Sequence, residues 1–266
     1  MGSVSIGPFA FDAQRLAVIV GIIIFLTVGS LLSRHRPRLS SWTTGAVLTG
    51  LVGARVGHVA YHFASFAEEP WRVFAVWQGG FSFAGAAIGV AVGIAWLAAR
   101  SLRDVPWAGG AVAAGFFAWF VINALTSSGI APGAPTQPFQ ALQNAKTVVL
   151  AERIGRPAVI NLWATWCPPC RREMPMLAEM AGDNPEVDFI FANQGENREA
   201  IERYLQSAGI KLDVILLDPF LALSRHYGAQ GLPATLLVRA DGTLATSHLG
   251  EISKESLSEA LSDLGK

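Results

Sequence analysis

Apolar residues crowd the first half of the chain into four runs. Residues 16–33 carry no charge and are rich in Val, Ile and Leu. Residues 42–66 are apolar but interrupted by Arg55 and His58, residues 73–99 are uncharged and end at Arg100 and Arg103, and residues 105–126 are uncharged again. Each run is close to the roughly 20 residues needed to cross a bilayer core, which predicts four transmembrane helices. "SSGIAPGAPTQPF" (127–139) follows, a Pro- and Gly-rich stretch without a buried pattern, and predicts a linker. Beyond it the pattern shortens. Strand-like runs at 158–163, 187–192 and 214–217 alternate with helical spacing at 167–181, at 198–208 (ended by Gly209) and up to Tyr227. Two further strands, 235–238 and 244–249, flank Asp241-Gly242, a hairpin signal, and residues 254–264 close as an amphipathic helix. Strands alternating with helices predict a three-layer α/β domain. The expected organisation is a membrane domain over 1–126, a linker over 127–139 and an α/β domain over 140–266.

Charge sharpens this division. Of 266 residues 52% are hydrophobic and 15% charged, and the formal net charge of zero hides an asymmetry. Residues 1–127 hold eight Arg and four acids; the remainder holds twelve bases and sixteen acids. The sums are 8 − 4 = +4 and 12 − 16 = −4. Five of the eight arginines fall in loops 34–41 and 100–104, whereas loop 67–72 holds Glu68, Glu69 and a single Arg. Arginine-rich loops face the cytoplasm, so four spans place both termini, and the α/β domain, outside it. The basic "RHRPR" (34–38) follows the first run, which favours a retained span over a cleaved signal peptide. No basic patch with interleaved aromatics exists, so nucleic-acid binding is not expected.

Within the membrane half, Gly53/Gly57 and Gly85/Gly89/Gly93 recur every fourth residue. This spacing permits close helix packing, although glycine is common in membrane helices generally. Arg55 and His58 lie inside a span, where ionisable groups face protein interior or a polar cavity. A functional site, a structural pairing and contact with lipid phosphate all remain open for them.

The candidate chemistry lies in "NLWATWCPPCRREMP" (161–175), which holds both cysteines of the chain. A strand runs into Cys167 and a helix starts just after it. Unpaired N–H groups and the helix dipole there favour a thiolate, the species that attacks disulfides. Pro168 and Pro169 fit a first helical turn without losing a needed hydrogen bond. Cys170, one turn on, is placed to resolve a mixed disulfide. A metal site would need further ligands, and there is no third cysteine or nearby histidine. A structural staple across so short a loop would stabilise little. A redox dithiol is therefore expected, with no metal and no cofactor.

Two resemblances extend these readings. "IGPFAF" (6–11), "GARVGHVAYH" (53–62) and "AVWQGGFSFAGA" (75–86) resemble prolipoprotein diacylglyceryl transferase, over about residues 4–125. The likeness departs at the chemistry. Where the family reads "SFHGG", this chain reads Ser82-Phe83-Ala84-Gly85-Ala86, so the key histidine is Ala84. The family's arginine-bearing "GRxGNFxNGE" has only "VINAL" (121–125) as a remnant. The resemblance implies a truncated scaffold without diacylglyceryl transfer, reused as an anchor or to meet a membrane partner.

"WATWCPPC", "REMP" and "GLPATLLVRADGTL" (231–244) resemble the thioredoxin superfamily, and more narrowly the membrane-tethered TlpA/ResA/CcmG-type thiol–disulfide oxidoreductases, over about residues 137–266. This implies a thioredoxin-like domain with a central mixed sheet flanked by helices. By position, Cys167 is the exposed nucleophile, Cys170 the buried resolving thiol, and Trp166 shields the pair. Pro233 is the cis-proline opposite them, against the alternative of an ordinary strand-entry proline, and the Leu232 backbone pairs with substrate. Pro175 falls where the family kinks its active-site helix. Asn161 replaces a buried aspartate of ordinary thioredoxins. Glu173 matches an acidic position that assists proton movement from Cys170; a solvated helix carboxylate is the alternative. Arg171 and Arg172 either tune the thiol or form a solvated face.

The expectation is a multi-pass protein of the bacterial inner membrane displaying a periplasmic or extracytoplasmic reductase of protein disulfides. The spans contain no cysteine, so a separate CcdA- or DsbD-type membrane donor is implied. A thiol oxidase with the same dithiol, a lipid-binding or lipid-modifying protein with an accessory redox domain, and a thiol peroxidase are the rivals.

Overall fold

The computed structural model describes residues 3–6, 9–76, 79–127, 132–144, 146–153 and 155–264. The chain forms two compact units, one of residues 13–128 and one of residues 129–266 grouped with residues 1–12. At the start β1 (Ser3–Ile6) pairs antiparallel with β2 (Phe9–Asp12).

The first unit is helical: α1 (Ala13–Ser33), α2 (Arg38–Tyr61), α3 (Phe63–Glu68), α4 (Phe83–Ala98) and α5 (Val105–Ser127). Helix α1 packs on α5 and α2 on α4. The second pair is built on glycine. A Cβ at Gly53 would meet the Gly85 carbonyl oxygen at 2.4 Å, and one at Gly89 would meet the Thr49 oxygen at 2.1 Å. The two backbones touch, as the four-residue spacing predicts. Trp42 seals the far end of this pair by donating its Nε1–H to the Gly93 carbonyl at 2.9 Å. Large apolar side chains such as Val52, Val56, Ile88 and Phe117 point outward.

Among the described residues two segments, Leu16–Ser33 and Leu102–Leu125, are long and apolar enough to cross a bilayer, and α4 is a shorter apolar helix. The expected third span, 73–99, is thus corrected: its helix covers only Phe83–Ala98. Gly79 and Gly80 adopt φ of +80° and +77°, outside helical geometry. Pro70–Phe74 is a 3-10 turn, and Ser82 caps α4 by accepting the Gly85 N–H.

The second unit carries β3 (Pro138–Ala141), β4 (Thr147–Val149), β5 (Ala158–Trp163), α6 (Pro168–Asp183), β6 (Asp188–Gln194), α7 (Arg198–Ala208), β7 (Ile215–Asp218), α8 (Ala222–Tyr227), β8 (Ala234–Val238), β9 (Leu244–Leu249) and α9 (Lys254–Leu264). The strands form one mixed sheet in the order β4-β3-β7-β6-β5-β8-β9. The three central strands β7, β6 and β5 are parallel, and the outer ones pair antiparallel. Strands β5 and β6 are buried on both faces, so their sequences read as continuous apolar runs. Val159, Trp163, Phe189 and Phe191 face α6, α7 and α9; Ile160, Leu162, Ile190 and Leu216 face α8. This is the expected three-layer architecture.

The linker expectation is corrected at its C-terminal end. Leu244 N–H donates to the Pro132 carbonyl at 3.0 Å, Ala151 N–H to the Pro135 carbonyl at 3.2 Å, and Phe139 is buried in β3. Residues 132–139 are therefore part of the α/β unit. Pro132 meets Leu244, and β3 meets β7, far along the chain, which local composition does not reveal.

Candidate active site

Strand β5 delivers the chain to Cys167 at the N-cap of α6, with Pro168 and Pro169 in the first turn. The sulfurs of Cys167 and Cys170 are joined in a disulfide. The Cys170 N–H points at Cys167 Sγ at 3.2 Å, so an otherwise unpaired helix-start donor is directed at the sulfur that must carry negative charge when reduced. Helix α6 continues through Pro175, where one i to i−4 bond is missing.

Cys167, expected to be exposed, is only 3% accessible, and Cys170 is fully buried. Trp166, expected to shield the pair, is 68% exposed. Its indole projects outward instead of lying closed within the site.

Glu173 lies one turn beyond Cys170 and is buried, which removes the solvated-carboxylate alternative. Oε1 accepts from Asn161 Nδ2 at 2.9 Å and Oε2 from the Ile252 N–H at 3.0 Å. Burial pushes its pKa from 4.5 up to about 7. The two hydrogen bonds and Arg172 oppose this rise, while neighbouring Glu251 adds to it. Asn161 Nδ2 also donates to Thr235 Oγ1 at 3.2 Å, whereas its buried Oδ1 has no partner.

Pro233 is buried just before β8, which pairs with β5 through Leu162 and Ala234. The Leu232–Pro233 bond is cis. Pro233 O accepts from Gly250 N–H at 2.8 Å; among the described residues the Leu232 backbone makes no hydrogen bond. Arg172 is bound to Glu251 through Nε at 3.0 Å and Nη2 at 2.6 Å, and Arg171 lies 5.6 Å over the Tyr204 ring.

Sequence reasoning missed three participants. Glu251 and Ile252 reach Glu173 and Arg172 across 79 residues. Glu196, after β6, accepts from Thr165 N–H at 2.6 Å, Thr165 Oγ1 at 2.5 Å and Asn193 Nδ2 at 2.8 Å. It thus holds the turn that leads to Cys167. None carries a local signal beyond being an acid or an amide next to a strand or helix end.

In the membrane unit, Arg55 donates to the carbonyls of Val73 (2.9 Å), Gly79 (2.8 Å), Gly80 (3.0 Å) and Arg72 (2.6 Å). His58 is buried beside His62 and Phe66. These residues and the cysteine site lie in different units.

A mixed sheet with a CxxC disulfide at the start of its first long helix defines a thioredoxin-like redox domain. Residues 131–264 match the redoxin family, and the chain belongs to that family. Residues 2–122 match prolipoprotein diacylglyceryl transferase, so two families are fused in one chain. Among curated relatives, the thiol-disulfide oxidoreductase ResA of Halalkalibacterium halodurans is 29% identical over 116 residues, covering 43% of this chain and 65% of that protein. The thiol:disulfide interchange protein DsbE of Vibrio cholerae is 32% identical over 110 residues, covering 41% and 59%. The matched segment therefore spans less than two thirds of these relatives. A solved structure of dsbF from MTB, in mixed oxidized and reduced forms, aligns with a TM-score of 0.47 at 24% identity, covering 51% of this chain and 99% of that one.

Proposed function

We propose that this protein is a membrane-anchored, extracytoplasmic thiol–disulfide oxidoreductase that reduces protein disulfides. The observation that carries the reading is the pairing of a helix-start dithiol with a buried, proton-holding carboxylate one turn away. In the reduced state Cys167 thiolate attacks one sulfur of a partner disulfide. The partner's S–S bond breaks and its other sulfur leaves as a thiolate. Cys170 then loses its proton and attacks Cys167 Sγ, releasing the partner's second thiol and re-forming the Cys167–Cys170 bond. Two electrons pass to the partner, and a membrane dithiol donor of CcdA or DsbD type restores them. Glu173, with a pKa near 7, is suited to take the Cys170 proton at neutral pH. Asn161 supports both protonation states, because an amide offers a donor to the carboxylate and an acceptor to the acid. Trp166, Pro233 and the Leu232 backbone frame the substrate segment.

The anchor reading rests on the diacylglyceryl transferase match, two helices of spanning length and the outward apolar side chains. We infer four crossings, with the arginine-rich loops cytoplasmic and both termini outside. The short α4 completes the set by packing on α2, and the bundle contacts lipid. Here the unit serves as an anchor, since Ala84 supplies no imidazole.

The test is a trap. Cys170→Ser in the full chain should accumulate mixed disulfides through Cys167 that a reductant releases, and mass spectrometry identifies the partners. Absence of any Cys167-dependent adduct in intact cells rejects the mechanism. Direction is read from the potential: a value near about −270 mV supports the reductase and one near about −120 mV the oxidase.

A further inference from the structure

In the α/β unit, the large apolar side chains left exposed among the described residues are three: Trp166 at 68%, Phe220 at 75% and Leu221 at 44%. They are not scattered. Strands β5, β6 and β7 run parallel in register, Trp163 beside Asn193 and Asn193 beside Leu217. Trp166 follows β5 and Phe220–Leu221 follow β7, so all three leave the same end of the sheet. The loop after β6 joins them. Its Glu196 holds Thr165, next to Trp166. Its Gly195 donates to the Asp218 carbonyl at 3.0 Å, and a Cβ on Gly195 would lie 3.6 Å from Leu221 Cδ1.

The β7–α8 turn is built to present its side chains. Leu221 sits at φ +54°, the only described residue other than glycine with positive φ. This conformation is strained for a leucine, whose Cβ crowds the following carbonyl oxygen. It is held by Asp218, which accepts Leu221 N–H at its carbonyl and the N–H groups of Ala222 and Leu223 at its carboxylate. A non-glycine residue kept at such a φ, beside an outward phenylalanine, points to a role for its side chain.

We propose that Phe220 and Leu221 form, with Trp166, a docking surface for the apolar residues flanking the partner cysteine that bonds to Cys167. This rests on the exchange reading above and deepens it. The occupant follows from continuity. Trp166 directly precedes Cys167 in the chain, and Glu196 and Gly195 link its turn to the β7–α8 turn, so a segment whose sulfur bonds to Cys167 arrives at the end of the sheet that carries all three side chains. A patch shared with the disulfide selects protein segments by their apolar flanks.

The experiment uses the reduced full chain in detergent and three disulfide probes. Two are nine-residue peptides with one cysteine capped by thionitrobenzoate, flanked by Leu and Phe in one and by Ser and Asn in the other. The third is dithiobis(nitrobenzoate) itself. The expected wild-type preference for the apolar peptide is about tenfold in second-order rate. Phe220→Ser with Leu221→Gly should abolish that preference and leave the rate with dithiobis(nitrobenzoate) unchanged. Leu221→Gly alone relieves the backbone strain, so it serves as the variant that keeps the fold. Equal peptide preference in wild type and variant overturns the proposal. So does a variant whose only change is lost binding to phosphatidylglycerol vesicles or a lost dimer, which would assign the patch to a membrane or to a second copy. Wild-type protein inert to all three probes would reject the exchange reading itself.

Discussion

Arg55, half-buried in the helical unit, and Glu173, buried in the α/β unit, are ionisable side chains solvated in opposite ways. Four backbone carbonyls surround the Arg55 guanidinium, and Phe66 lies 5.5 Å beneath it. A guanidinium does not give up its proton, and carbonyls cannot take one. That arrangement has one state and fixes a shape: Arg72, Val73, Gly79 and Gly80 are tied to α2. Glu173 has two donors and a neighbouring carboxylate, too little to hold its charge firmly. Its proton is therefore exchangeable near neutral pH. A charge saturated by fixed dipoles builds structure, whereas an under-solvated one beside a thiol can do chemistry.

The most damaging way to break the structural side is to separate the helices that carry it. Gly85→Leu would place a Cβ 2.2 Å from the Gly53 carbonyl oxygen, and backbone cannot swing aside. We expect a loss of about 3 kcal/mol or more in the helical unit, read as a lower aggregation temperature in detergent. Dithiobis(nitrobenzoate) reduction by the dithiol should persist, because the cysteines belong to the other unit. Equal loss of both would mean that the units are not independent.

Glu173→Gln breaks the chemical side. The folded carboxyl titrates at about 7, against 4.5 ordinarily. Between these values the folded chain keeps a proton that the unfolded chain has released. The contribution of Glu173 to stability is thus fullest below about pH 4.5, falls as pH rises to about 7, and is level above, a change on the order of 3 kcal/mol. Urea unfolding of the α/β unit at pH 5 and pH 8 should show this slope in wild type and not in Glu173→Gln. The same variant should slow the Cys170 resolving step by about a hundredfold at pH 7.

Arg55→Lys is milder. One ammonium has three donors on a single nitrogen and cannot reach four carbonyls spread from Arg72 to Gly80. An expected cost of about 2 kcal/mol would appear as faster proteolysis within 69–82, with the redox rate unchanged. A change in thiol chemistry instead would remove the contrast between the two sites.

How much of this could be read in advance follows from how local each signal was. Cys167, Pro168 and Cys170 lie within one helical turn, and the both-face burial of β5 and β6 shows as unbroken apolar runs. Glu173 was visible as a position, but its burial depends on Ile252 and Asn161, which approach from elsewhere in the fold. Strand β3 hides at the end of Pro- and Gly-rich sequence because one of its partners is β7, far along the chain, and β4 is a three-residue edge strand that pairs with β3 alone. The third apolar run is longer than its helix, α4, because apolar composition continues through Gly79 and Gly80, whose positive φ values lie outside helical geometry. Phe220 and Leu221 read as ordinary apolar residues until the structure leaves them in solvent.

The finest test concerns what sets the Glu173 proton. Arg172 and Glu251 form one ion pair beside it and act with opposite sign: the guanidinium lowers the carboxyl pKa, and the second carboxylate raises it. Arg172→Ala should therefore move the stability-versus-pH midpoint upward, and Glu251→Gln should move it downward. Arg172 is 55% exposed in its side chain, so water and salt screen its share, and we expect only a few tenths of a pH unit from it. Glu251 is buried, and its removal should shift the midpoint further. Both displacements should be visible by following the Glu173 carboxyl carbon by NMR across pH 5–9. Shifts of the same sign in the two variants would mean that the 250–253 loop moves when the pair is broken, and that the Ile252 hydrogen bond, more than either charge, controls the proton.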